Sequence, residues 1–339
     1  MNQVNFIRDF TSLGAMLRSY LAGERMVLVL DSAITKSVAA NPWFTDYHVR
    51  EMLGAIADNY LRREELEKWL SSYPEVWYGF KKDITIVMAG NIPLVGYHDY
   101  LSVLASGRRA SVKLSSKDVF LLPALHGLLC SLSPAWRSRV RFVTDVPADT
   151  DGLIATGSDS TAAWFTKHYP QIPKIVRGHR ASIALIPEGI TQEQIAGLHR
   201  DMFLYFGLGC RSVVRLFVPE GFDLLRLTTP VPYRLEAQHT GFRNAYRQQK
   251  ALLTLQKRPF IDGGFFILQP EEGLIPPVAT IFYSFYSHIN EVLNYLNDTH
   301  SRLQCVVGID AEIKKCVNFG SAQNPQLWDY ADQIDTIKL

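Results

Sequence analysis

The chain carries four cysteines in 339 residues (Cys130, Cys210, Cys305 and Cys316), and no two of them form a CxxC pair. That absence removes the spacing of zinc ribbons and dithiol redox motifs, and the nine histidines do not cluster at ligand spacing either. No metal is therefore expected, and a reduced, cytoplasmic protein is. Charge is balanced, with 35 Lys and Arg against 33 Asp and Glu, a net of +2. No basic run is interleaved with aromatic residues, so nothing argues for nucleic-acid binding. No apolar stretch approaches the ~18 charge-free residues of a membrane span. The opening MNQVNFIRDFTSLG lacks the basic-then-apolar order of a signal peptide. Internal repeats, low-complexity tracts and long linkers are missing as well.

What is present is 47% apolar residues, enough for one large α/β unit or two domains. Residues 4–80 read as mainly helical, with Ala55–Leu70 showing apolar residues at helical spacing and MVLVL (Met26 to Leu30) as a strand candidate. From residue 82 onward short apolar runs alternate with helical segments: Ile84–Ala89, Ala110–Leu114, Val140–Thr144, Gly152–Gly157, then KIVR and ASIALI. That alternation predicts a parallel, doubly wound sheet, which binds ligands at the carboxyl ends of its strands. It resumes beyond Pro187 with a helix over 191–206, a strand near Val214–Val218, and further strands in FFILQ, VATIFYSF and QCVVGI around a helix near Ile289–Leu296. The expected organisation is a helical region over 1–80, a first lobe over 81–187, a second lobe over 188–316, and a tail over 317–339 that returns to the first lobe.

Cys210 draws attention because YFGLGCRSVVRLFV places it at a helix-to-strand junction behind Gly-Leu-Gly. Such a junction can aim a thiol into a cleft among backbone N–H groups, as acyl chemistry requires. An isolated cysteine is more often buried structure, and Cys130 (in HGLLCSL) and Cys305 (in QCVVG) read that way. In AGNIPLVG, Asn91 sits where the chain leaves a strand; its amide suits an oxyanion donor, or simply a turn. In ASVKLSSKD, the cation and hydroxyls of Lys113, Ser115, Ser116 and Lys117 suit a nucleotide ribose or phosphate, or a solvated turn with a Ser cap. In TGSDS, Gly157 and Ser158 open a helix whose N-terminus suits a pyrophosphate, or an ordinary N-cap. His98 and Asp99 are adjacent and point apart on a helix, so both read as structural, as do Glu64, Glu65 and Glu67 in a charged stretch. Tyr97, Tyr205 and Phe206 suit either an apolar tunnel or the core.

Taken in order, these segments resemble the aldehyde dehydrogenase superfamily, and within it the acyl-CoA reductase branch, the fatty-acid reductases of bacterial bioluminescence. The resemblance runs from about Ile84 to the C-terminus. It rests on the Asn-x-Pro segment AGNIPLVGYHDYLSVLASG, the Lys-x-Ser strand end SVKLSSKD, the turn TGS, RGHRAS, the nucleophile segment GLGCRSVVRLFV and the tail VNFGSAQNPQLWDYADQIDTIKL. It implies an aldehyde-dehydrogenase-like fold of two doubly wound, Rossmann-like lobes. By it, Cys210 attacks an acyl thioester, and Asn91 with the Cys210 N–H forms the oxyanion hole. Lys113 holds the cofactor ribose, Ser158 contacts the pyrophosphate, and Glu272, or its neighbour Glu271, steadies the nicotinamide ribose. Partners implied are acyl-CoA or a related acyl thioester, an acyl-activating enzyme and a further copy in a homo-oligomer.

Two departures shape the expected chemistry. Aldehyde-oxidising members carry a water-activating Glu where this chain has IVRGHRAS, with Val176 or Arg177 near the position; without that base, reduction or thioester exchange is favoured over hydrolysis. NAD-preferring members often place a Glu three residues after the family lysine, where this chain has Ser116, followed by Lys117. A hydroxyl and a cation accept a 2′-phosphate, so NADPH is the expected cofactor. An acyl-holding subunit and an acyl-phosphate reductase are the alternatives.

Overall fold

A computed structural model of the chain describes residues 2–74, 82–228, 235–309, 313 and 316–339. The expected start of the first lobe, residue 81, lies outside them. Two compact units emerge: Met1–His179 together with Pro325–Leu339, and Arg180–Asn324.

In the first unit, aliphatic runs form β1 (Asp83–Val87), β2 (Arg109–Lys113), β3 (Val140–Phe142), β4 (Gly152–Thr156) and β5 (Lys174–Arg177). They pair in the order β3-β2-β1-β4-β5, and every pairing is parallel. A parallel sheet must be covered on both faces, which explains why β1 and β4 are nearly continuous apolar runs. Four helices precede the sheet: α1 (Gln3–Leu21), α2 (Leu28–Ala40), α3 (Asp46–Asn59) and α4 (Arg63–Leu70). The crossovers contain α5 (Tyr97–Ala105), α6 (Leu121–Leu132) and α7 (Asp159–His168). Asn2 caps α1 through the Asn5 N–H (2.9 Å), and Thr45 caps α3 through the His48 N–H (3.1 Å). Phe6, Phe10, Leu13 and Leu17 form one buried stripe on α1 and share a continuous core with Leu129, Trp136 and the strands.

MVLVL is not a strand. Leu28 begins α2, and Leu30, Ala33, Ile34 and Ser37 are its buried residues, at helical spacing. Met26, Leu28 and Val29 remain exposed. The run looked strand-like only because apolar residues fall on both sides of the helix start.

Pro325–Leu339 is held in the first unit by polar side chains. Trp69 Nε1 donates to the Tyr330 hydroxyl (2.6 Å), and the Tyr73 hydroxyl lies 2.8 Å from that of Tyr330 and donates to Asp335 (2.7 Å). His98 Nε2 donates to the Leu327 carbonyl (2.9 Å), and Arg108 to that of Ile337 (2.9 Å). Such buried bonds contribute about 1 kcal/mol each when made and cost more when broken on one side.

The second unit contains β6 (Ala181–Leu185), β7 (Val213–Pro219), β8 (Ile261–Asp262), β9 (Ile267–Pro270), β10 (Thr280–Tyr286), β11 (Leu303–Val307) and β12 (Cys316–Val317). The sheet order is β12-β11-β6-β7-β10-β9-β8, parallel except for the β8–β9 edge pair. Its helices are α8 (Gln192–Phe203), α9 (Leu235–Gln238), α10 (Thr240–Leu255) and α11 (Ile289–Thr299). A capping box between Thr191 and Gln194 starts α8. From the sequence, ASIALI is expected at the end of the first lobe. The structure places it as β6, the strand between β7 and β11, so the division falls at 179/180. An apolar run carries no label for the sheet it will join.

Candidate active site

The mount of Cys210 is built from a helix that stops abruptly. α8 ends at Phe203, short of the expected residue 206. Tyr205 (φ 59°), Phe206 (φ 59°) and Gly207 (φ 71°) then adopt left-handed conformations in succession. For the two non-glycine residues that costs roughly 1–2 kcal/mol each. Burial offsets it: Tyr205 and Phe206 are each 2% exposed, and the Phe206 ring packs on His239 and Phe242. Both rings, and Tyr97, are therefore core residues.

The chain next makes a tight turn in which the Ser212 N–H donates to the Gly209 carbonyl (3.0 Å), leaving Cys210 exposed before β7. Ser182 on β6 donates to the Cys210 carbonyl (3.0 Å), accepts from the Cys305 N–H (3.3 Å) and lies 3.1 Å from the Cys305 sulfur. Burial pushes the Cys305 and Cys130 thiols up, as befits structural positions. Arg211 donates to the Ala322 carbonyl (3.3 Å), and Gln323 Nε2 to the Ser212 hydroxyl (3.1 Å).

Gly207 is the residue on which this turn depends. A methyl group there would come 3.0 Å from the Met202 carbonyl oxygen, on a backbone already at φ +71°. Gly207→Ala is expected to cost about 1–2 kcal/mol and to slow alkylation of Cys210 by iodoacetamide. Thermal melts and timed mass spectra read both; an unchanged melt with unchanged alkylation would refute the dependence.

Arg215, five residues after the thiol, is 2% exposed. It donates to the carbonyls of Glu271 (3.2 Å) and Gly273 (3.4 Å) and to the Ser284 hydroxyl (2.7 Å), with Phe217 and Tyr295 facing its guanidinium. The strand that follows Cys210 is thereby tied to the loop carrying both glutamate candidates. They differ there. Glu271 forms an ion pair with Arg258 (2.7 Å) and accepts the Glu272 N–H (3.2 Å); the Arg258 guanidinium holds its carboxyl below the usual range. Glu272 is exposed.

The remaining candidates lie in the first unit, at the carboxyl ends of β1, β2 and β4. Val87 pairs with Lys113 on one side and Ala155 on the other, so the strand order reverses at β1. Ligands of open α/β sheets bind at such a reversal. Gly90 lets the Asn91 turn lie against the end of β2: a Cβ there would meet the Ser115 hydroxyl at 2.5 Å. Asp118 accepts the Leu94 N–H (2.8 Å), where Leu94 is left-handed (φ 52°), and Asn41 Nδ2 donates to the Lys117 carbonyl (3.2 Å). Burial pushes the Asp118 carboxyl up to about 6. Sequence reasoning gave Asp118 no role, although it closes the Lys-x-Ser segment. Its role is to join the Asn91 turn to that segment.

Within this frame Asn91, Ser116 and Lys117 are exposed, and Lys113 and Ser115 half-buried. Ser158 is the N-cap of α7, accepting the Thr161 N–H (3.3 Å). The Gly157 N–H donates to the Arg177 carbonyl (3.1 Å) and so belongs to the sheet; a Cβ at Gly157 would meet Thr161 at 2.9 Å. The first unit thus assembles Asn91, Lys113, Ser115, Ser116, Lys117, Gly157 and Ser158 at one sheet end, while Cys210, Glu271 and Glu272 belong to the second. Exposed hydroxyls and a cation beside a glycine-floored strand end fit a dinucleotide.

Arg177, at the end of β5, is buried. It donates to Asp99 (2.7 Å) and to the Thr336 hydroxyl (3.2 Å), all within the first unit. His98 and Asp99 thus have packing partners in the tail and in β5. Among the described residues, no group of three or more His, Cys, Asp or Glu is arranged to hold a metal ion, and no helix is long and apolar enough to cross a membrane.

No family model matches the chain. Two curated proteins are similar to it over part of their length. The long-chain acyl-protein thioester reductase of Photorhabdus laumondii is 23% identical over 46% of this chain and 36% of its own. Long-chain acyl-protein thioester reductase 2 of Photobacterium leiognathi is 26% identical over 39% and 30%. These matches span about a third of the curated relatives' length. Solved structures cover far more of the fold. Aldehyde dehydrogenase 21 of Physcomitrella patens matches with a TM-score of 0.64 at 14% identity, over 92% of this chain and 74% of that one. A putative aldehyde dehydrogenase of Burkholderia cenocepacia gives 0.66 at 10%, over 92% and 76%. Succinic semialdehyde dehydrogenase of Streptococcus pyogenes, solved with NADP+, gives 0.60 at 13%, over 87% and 74%. The chain thus has the aldehyde dehydrogenase fold, and its sequence is similar to that of long-chain acyl-protein thioester reductases.

Proposed function

We propose that the chain reduces an acyl thioester to an aldehyde, with Cys210 as the nucleophile and NADPH as the reductant. The observation that carries the reading is an exposed thiol on a turn whose shape buried aromatic rings and side-chain hydrogen bonds impose, in an aldehyde dehydrogenase fold. The Cys210 sulfur attacks the thioester carbonyl, a new carbon–sulfur bond forms, and the carrier leaves as a thiol. The resemblance to the aldehyde dehydrogenase superfamily assigns the oxyanion of that step to the Asn91 amide and the Cys210 N–H. When bound, NADPH supplies the hydride that releases the aldehyde. Lys113 and Ser115 would hold its adenine-side ribose, Ser116 and Lys117 its 2′-phosphate, and Gly157 and Ser158 the pyrophosphate; the resemblance assigns the nicotinamide ribose to Glu272.

The β5 strand supports reduction over hydrolysis. Where oxidising members of the resembled family keep a carboxylate, this chain has an apolar Val176 and an arginine already engaged with Asp99 and Thr336. β5, with the sequence KIVR, carries no carboxylate or imidazole to act as a general base on water. The acyl group therefore stays on sulfur until hydride arrives.

Acyl-CoA thioesters of graded chain length, added without cofactor, are expected to leave a mass adduct on Cys210. Subsequent NADPH releases a trappable aldehyde and restores the free thiol. Absence of an adduct from every thioester, with aldehyde formed only from an acyl phosphate, overturns the thioester reading. Faster release with NADH overturns the cofactor assignment.

A further inference from the structure

The mechanism leaves one buried carboxyl unused. Asp201 lies on α8, nine residues before the nucleophile, and is fully buried. Its two oxygens accept the N–H groups of Gly320 (2.6 Å) and Ala322 (2.9 Å). Gly197, one helical turn earlier on the same face, completes the seat: a Cβ there would lie 2.7 Å from the Phe319 carbonyl carbon. The segment 319–323 is thus strapped onto α8. Its other side reaches the nucleophile turn, where the Ala322 carbonyl accepts from Arg211 (3.3 Å) and Gln323 donates to the buried Ser212 hydroxyl (3.1 Å). Arg211 and Ser212 are the two residues after Cys210.

We propose that Asp201 is a positioning residue for Cys210, acting through the 319–323 strap on the two residues that follow the thiol. This deepens the proposed function and rests on its reading of Cys210 as the nucleophile. The strap fixes the far end of the Gly209–Ser212 turn, while Ser182 fixes the Cys210 carbonyl. Together they set the direction of the Cys210 N–H and sulfur.

The carboxyl also makes the strap sensitive to pH. Burial pushes Asp201 up from 3.8 to about 7, against the pull of its two N–H donors and Arg200. The other ionisable groups facing this region are the Cys305 thiol on β11, and Arg211 and the Cys210 thiol on the turn. When ionised, Asp201 accepts both N–H groups with charge-assisted strength; when protonated, one oxygen becomes a donor. Two effects of opposite sign follow. The folded state holds the proton to a higher pH than the unfolded chain, so this group's contribution to stability falls as pH rises from 3.8 through about 7. The grip of the strap rises over the same interval.

The test compares the wild-type chain with Asp201→Asn and Gln323→Ala, measuring the rate of Cys210 acylation by acyl-CoA without cofactor, and its alkylation by iodoacetamide, across that interval. An Asn amide can accept only one of the two N–H groups. Asp201→Asn should be acylated about 10–100-fold more slowly and should lose both the rate step near 7 and the opposing change in melting temperature. Gln323→Ala should be slower and keep the step. Wild-type rates and wild-type pH profile in Asp201→Asn would overturn the proposal. If that variant does not fold, a wild-type rate in Gln323→Ala overturns it. Iodoacetamide reads the same turn without acyl chemistry, so a wild-type chain that alkylates normally yet takes no acyl group signals failure of the functional reading instead.

Discussion

Cys210→Ser is expected to eliminate the acyl adduct and to lower aldehyde formation by about 10⁴-fold or more, since a nucleophile and the groups serving it act as a unit. A serine hydroxyl remains protonated at neutral pH and needs a base to attack a thioester, whereas a thiol is already a few per cent thiolate. The side chains beside it are no substitute for that base: Ser182 on β6 donates to the Cys210 carbonyl, Arg211 donates to the Ala322 carbonyl, and the Ser212 hydroxyl accepts from Gln323. Binding of NADPH should be unchanged, because Lys113, Ser116 and Ser158 belong to the first unit and the substitution lies in the second. Intact-mass spectrometry after acyl-CoA addition, together with a fluorescence titration of NADPH, checks both halves. An acyl adduct of the same stoichiometry on the serine variant would remove Cys210 from the mechanism.

Arg177→Ala is expected to cost about 3–5 kcal/mol of stability, since it leaves the buried Asp99 carboxylate without its counter-charge. Arg177 is 4% and Asp99 8% exposed, and the pair is 2.7 Å apart. The same substitution removes the donor to Thr336, loosening the tail that Tyr73, Tyr330 and Arg108 hold elsewhere. A buried ion pair replaced on both sides by apolar groups of similar volume is often neutral. Arg177→Met with Asp99→Leu should therefore recover most of the loss. Urea denaturation of the three proteins measures this; a loss below about 1 kcal/mol in the single variant, the range of an exposed pair, would show that the pair is not the buried interaction described. The result bears on chemistry as well, because the residue near the water-activating position of the resembled aldehyde-oxidising family would then be a structural strut.

Most strands of both sheets were legible because parallel strands are buried on two faces and read as short aliphatic runs, as ITIV and GLIAT do; the two-residue edge strands β8 and β12 were not. Several helices were legible from apolar spacing, among them the one over 191–206 and the one near Ile289–Leu296, whereas α10 (Thr240–Leu255) was not. The ends of elements were less so. MVLVL reads as a strand until its neighbours show that Val27 and Leu30 face a core with Ala33 and Ile34, at helical spacing. The helix before Cys210 reads as continuous to Phe206, because no local signal announces two aromatic residues in left-handed conformation. That conformation is unfavourable in isolation and exists because the rings are buried against His239 and Phe242.

The fold class could be read from the residues alone, because burial on both faces and turn chemistry are written locally. Which distant groups meet was decided by the tertiary structure alone. Asp99 finds Arg177, Asp118 finds the Leu94 N–H, Arg215 finds the Glu271 loop, and Asp201 finds the backbone of residues 320–322. These are buried polar groups whose partners lie far along the chain. A buried charge must be matched, but only packing selects its match.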